Sequence, residues 1–150
     1  MLQTDLERYA NAPAVLVQIY VDRIVLHYPS STEYLTECAQ FSHPRSLSGD
    51  FSIAETTFTQ LLKRGGGGFK YLAPYMFIQA MERMEFGLTQ VEIRALQELG
   101  LSSGARAIAI YDETGKLLTP NSLPATINLK RLAMMGLIIT LFVLLCFLCA

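Results

Sequence analysis

The stretch "AVLVQIYVDRIVLHY" (residues 14–28) lies between Pro13 and Pro29, which bound whatever element it forms. Val17, Val21, Ile24, Val25 and Tyr28 recur at offsets that line one face of a 3.6-residue helix, with Gln18, Asp22 and Arg23 on the opposite side. Pro13 suits a first helical turn, where a missing amide hydrogen costs nothing, and Pro29 stops the element. The spacing therefore predicts a helix over 14–28, and with it a mainly α fold.

The flanking segments extend that reading. "SSTEYLTECAQF" (30–41) opens with Ser30 and Glu33 at capping-box spacing and offers Leu35 and Cys38 to a core. A further helix is expected from about Ser52, with Glu55 as box partner and Ala54, Phe58, Leu61 and Leu62 on its apolar side. Between Gly87 and Gly100, Thr89 and Glu92 repeat the box ahead of "QVEIRALQEL".

"KRGGGGFKY" (63–71) lacks the Lys-Ser/Thr end of a phosphate-binding loop and no apolar strand leads into it. Gly65, Gly66, Gly67 and Gly68 are read instead as a helix stop and hinge. "FKYLAPYMFIQAMERMEF" (69–86) is expected to be the central helix. Its adaptable face of Tyr71, Tyr75, Met76, Met81 and Met84 is the candidate groove for a partner.

The period changes after Gly104. "ARAIAIYDETGKLLT" (105–119) alternates in the manner of a strand and turns at Asp112–Gly115, which predicts one β-hairpin at about 106–119. Ile108 and Ile110 on its edge are the second candidate partner surface, through strand addition.

The last nineteen residues, "LAMMGLIITLFVLLCFLCA" (132–150), carry no charge and no polar stripe at any period. As a helix they would span roughly 28 Å, close to the hydrocarbon thickness of a bilayer. Lys130 and Arg131 flank the N-terminal end of this span, which favours a cytoplasmic position for what precedes it. The beginning of the chain has neither a basic start nor a continuous apolar stretch of signal-peptide type. The expected organisation is a helical cytosolic domain over 1–119, a juxtamembrane linker over 120–130, and a single transmembrane tail anchor over 131–150.

Composition excludes more function classes than it suggests. A net charge of −1 leaves no electrostatic footprint for nucleic acid. Two histidines and three cysteines, two of these in the apolar tail, give no zinc spacing and no disulfide framework, so no metal and no cofactor is expected. No serine or cysteine sits in a nucleophile motif beside a base, so a catalytic role, including one on lipid, is not expected. The sequence predicts a non-catalytic, tail-anchored adaptor or assembly subunit that presents its domain to a protein partner at the cytosolic membrane face. The alternative is a membrane-active regulator whose span forms homo-oligomers for pore or lysis control, although Gly136 is the lone small packing residue of the upper span and no GxxxG pattern occurs.

Overall fold

Residues 14–28 form two strands. In the computed structural model, which describes residues 1–29, 31–44, 46–47, 49–65, 73–82 and 87–119, β1 (Ala14–Tyr20) and β2 (Arg23–His27) pair antiparallel from Leu16↔His27 to Tyr20↔Arg23. Val15, Val17 and Ile19 alternate into one core, and after the reversal Ile24 and Leu26 join them. The turn rests on Asp22, whose φ of 53° is tolerated because a short polar side chain can bond locally. Asp22 N donates to Ser42 Oγ at 3.0 Å, and Ser42 N donates back to Asp22 Oδ1 at 2.7 Å.

The mainly helical expectation is thereby corrected to an α/β fold built on one five-stranded mixed sheet. The segment read as a second helix is β3 (Tyr34–Cys38), antiparallel to β2. The segment read as the central helix contains β4 (Tyr75–Ala80), parallel to β1 and buried at every position. β5 (Ala107–Tyr111) runs parallel to β4, so the strand order is β3-β2-β1-β4-β5. The expected hairpin is thus an edge strand of this sheet. After the turn at Asp112–Gly115 the chain returns along β5 through the bridge Tyr111↔Leu117 and the bond from Leu118 N to the Ile110 carbonyl.

Three helices complete the described residues. α1 (Leu2–Arg8) has no counterpart in the sequence reading. α2 (Phe51–Gly65) and α3 (Gln90–Ser102) occupy the segments where capping patterns placed helices. Asp50 Oδ1 accepts from Ile53 N at the start of α2, and Thr89 and Glu92 close a reciprocal capping box at α3.

The sheet has two unlike faces. One carries the main core, where Phe58 and Leu61 of α2 and Leu96 and Leu99 of α3 cover Val17, Ile24, Met76, Ile78 and Ile110. Each such fully buried side chain contributes about 1.5–3 kcal/mol. The second face is covered beside α1 by a smaller cluster of Leu2, Tyr9, Ala14, Tyr75, Phe77, Ala109 and Tyr111. The Tyr9 ring lies 4.6 Å from that of Tyr75, and Tyr111 Oη donates to Asp5 Oδ2 at 2.9 Å.

No helix among the described residues is long and apolar enough to cross a membrane. The expected transmembrane helix, its linker, Lys130 and Arg131 lie outside the described residues.

Candidate partner surface

The sequence-derived partner residues are placed mostly inside the protein. Met76, Ile108 and Ile110 belong to the core beneath the helices, at 0, 5 and 0% exposure. Tyr75 is held under Tyr9 on the second face. Each sits on a strand flanked by strands or covered by a helix, so none offers a side chain to a partner in this fold. Met81 lies just beyond β4, where its sulfur accepts from Gln18 Nε2 at 3.7 Å. Tyr71 and Met84 lie outside the described residues, as do Gly66, Gly67 and Gly68. Gly65 is the last residue of α2, and a Cβ there would run into the Tyr28 hydroxyl and Leu35, so its described role is close packing.

Among the described residues, the half of the second face made by β1, β2 and β3 is its more exposed part, although Val25 on it is buried. Alternation along these strands puts Leu16, Gln18 and Tyr20, then Arg23, Val25 and His27, then Tyr34, Thr36 and Cys38 on it. Arg23, Thr36 and Cys38 are exposed, and Tyr34 is 65% exposed. The Arg23 guanidinium lies over the Tyr20 ring at 4.1 Å, and His27 and Tyr34 rings approach to 5.8 Å. The combination of aromatic rings, an arginine and few acids resembles the composition of protein-binding patches. Sequence reasoning missed these residues because their common face exists only once β1–β3 are strands.

A row of polar side chains floors this surface. His27 Nε2 pairs with Gln18 Oε1 at 3.1 Å, Gln18 Nε2 donates to Gln79 Oε1 at 3.0 Å, and Gln79 Nε2 donates to the Asp112 and Glu113 carbonyls at 3.2 Å. Because Gln18 Oε1 can only accept, His27 must carry a proton on Nε2. Burial pushes the His27 imidazole below its usual 6.5, so the neutral form is favoured.

The carboxyl ends of β1, β4 and β5 converge beside the place where strand order reverses, the usual ligand crevice of an open α/β sheet. Here the acids serve the chain itself. Glu82 Oε2 accepts from Val21 N at 2.8 Å, tying the end of β4 to the β1–β2 turn. Asp22 holds Ser42. Asp112 Oδ1 accepts from Thr114 N, Thr114 Oγ1 and Lys116 N. Burial pushes the Asp112 carboxyl up, but those hydrogen bonds and the Lys116 charge outweigh it and hold it below its usual value. Among the described residues no group of three His, Cys, Asp or Glu is placed to hold a metal ion.

A shallow groove of about 690 Å³ lies over α3 and the start of α2, lined by Phe51, Val91, Arg94, Ala95 and Glu98 among others. It is open, with Val91 78% exposed on its wall. No protein-family model matches the chain, and no curated protein matches it.

Proposed function

We propose that this protein is a non-catalytic adaptor or assembly subunit, held at a membrane by its apolar residues 132–150, that engages protein partners through the more exposed β1–β3 half of its sheet. The observation that carries the recognition surface is the exposure of Tyr34, Thr36, Cys38 and Arg23 on a sheet face whose other half is covered by α1. The tether rests on the uncharged length of 132–150 and the preceding Lys130-Arg131 pair. Confinement to a membrane raises the effective concentration of such a surface for neighbouring proteins without new contacts.

The two parts are tested separately. The full chain is expected to stay with membranes after an alkaline carbonate wash, and a chain stopped after Asn128 to be released. Release of the full chain removes the tether. For the surface, cross-linking in native membranes is compared between the wild type and an Arg23→Glu/Tyr34→Ser variant of equal thermal stability. Loss of specific cross-linked neighbours is expected, and an unchanged set places recognition elsewhere.

A further inference from the structure

The two edges of the sheet differ. At β5 the returning chain occupies the edge: Leu118 N donates to the Ile110 carbonyl at 2.8 Å, and Thr119 Oγ1 accepts from Ile110 N at 3.2 Å. At β3 the ladder to β2 fixes which backbone groups remain. Ala39 N donates to the Asp22 carbonyl at 3.1 Å, so by antiparallel alternation Glu37 and Leu35 bond to β2 through Ile24 and Leu26. The N–H and C=O groups of Tyr34, Thr36 and Cys38 therefore point away from the sheet.

Among the described residues this edge carries few of the usual guards against pairing. Tyr34–Cys38 contains no proline and no lysine, and its register with β2 runs without a bulge. Its one charge, Glu37, is ion-paired with Arg64 of α2.

We propose that β3 pairs antiparallel with β3 of a second copy of this chain, about a two-fold axis at Thr36, joining the two five-stranded sheets into one. The outward backbone groups are symmetric about that point. Tyr34 meets Cys38 of the second copy, Thr36 meets Thr36, and Cys38 meets Tyr34, so each pair exchanges both N–H···O bonds. The side chains agree with the same register. Thr36 against Thr36 is a favourable cross-strand pair, and Tyr34 lies against a soft thiol. On the α2 side Leu35 faces Glu37, so the two Glu37 carboxylates are not opposed. A strand of unrelated sequence would share only the backbone part of this match. The contact is isologous and closed, consuming the β3 edge in both copies. It doubles the exposed sheet face and needs neither the membrane tether nor any other partner.

Single-cysteine chains test the register directly. In the full chain with Cys146→Ala and Cys149→Ala, Cys38 of one copy lies four residues out of register with Cys38 of the other. Mild oxidation should leave that protein uncross-linked. Adding Cys38→Ser and Thr36→Cys places two thiols on directly opposed residues, about 5.5 Å apart at Cα, within disulfide range. Cross-linked dimer should then rise by an order of magnitude or more. Thr36→Pro removes an outward N–H without touching the β2 ladder, so it should abolish the dimer in detergent while the circular dichroism spectrum stays native. Three results would each overturn the pairing: a monomeric Thr36→Cys protein with a reactive thiol, equal cross-linking through Cys38 alone, or a Thr36→Pro protein that remains folded and dimeric. Loss of membrane retention with cross-linking intact would remove the tether alone.

Discussion

Gln18 of β1 and Gln79 of β4 stand opposite each other in parallel register, and the first donates to the second across the sheet at 3.0 Å. Gln79 is only 7% exposed, and its own amide donates onward to the Asp112 and Glu113 carbonyls. The donors point one way, from β2 through β1 and β4 to the turn after β5. A buried polar row of this kind favours a single register, because a slipped strand would leave each member unpaired.

Gln79→Met is therefore expected to cost about 1–3 kcal/mol, since it removes the acceptor of Gln18 and a donor to the Glu113 carbonyl. Replacing Gln18 and Gln79 together should cost less than the sum of the single changes, because the double variant leaves fewer polar groups unmatched. Urea denaturation of the four proteins measures the difference. Strict additivity would show that the two amides act independently.

His27 gives the same row a pH response. Burial depresses its folded value below 6.5, so as pH falls the unfolded chain takes up a proton before the folded one does. Its contribution is at its maximum above about pH 6.5 and is lost as pH falls toward the folded value. In His27→Gln this part of the slope between pH 7 and 5 should disappear. A thermal melting series with equal slopes for both proteins would show that the ring is solvated as well folded as unfolded.

Asp112 acts in a lower window. Its folded value is depressed below 3.8, so the carboxylate stabilises the fold above that value and the contribution fades as pH drops through the folded one. Asp112→Ala is expected to cost about 1–2 kcal/mol at pH 7, from the loss of bonds to Thr114 and Lys116. The gap to wild type should narrow below about pH 4. A gap that stays constant down to pH 2 would mean that turn geometry, not the charge, carries the effect.

How much of this was legible depends on whether a signal was local. α3 could be placed because Thr89 and Glu92 cap it from within one turn, and the turn at Asp112–Gly115 because its residues bond one another. Residues 14–28 misled because the reversal at Val21–Asp22 changes the phase of burial. Val17 and Ile24 face the helices from β1 and β2 with Val21 and Tyr28 packed beside them, while Val25 lies on the opposite face, so the five positions at helical offsets come from two strands and their flanking turns. The richness in β-branched residues was the better guide. "YMFIQA" misled for a different reason. A strand buried on both faces shows no alternation, so Met76 and Ile78 looked like an adaptable surface when they are interior. The candidate surface was invisible for both reasons together, since Tyr34, Thr36 and Cys38 share a face with Arg23 and His27 only in the sheet.

Gly100 shows the closeness with which α3 lies on that sheet. A Cβ at this position would stand 2.6 Å from Ile108 Cδ1, 3.1 Å from Ile108 Cγ1 and 3.2 Å from Met76 Sδ. In an exposed helix Gly→Ala stabilises by about 1 kcal/mol. Here the added methyl meets a filled interior, where overpacking costs about 1–3 kcal/mol, so Gly100→Ala is expected to destabilise the protein. Ile108→Val removes the Cδ1 atom that the new methyl would strike. In that background only the 3.1 and 3.2 Å approaches remain, so Gly100→Ala should cost less, giving a coupling of about 1 kcal/mol or more between the two sites. The cycle is read by denaturant midpoints of the four proteins. If Gly100→Ala has the same effect in the wild-type and Ile108→Val backgrounds, α3 does not rest on β5 at this distance, and the burial of Leu96 and Leu99 must come from a different seat of the helix.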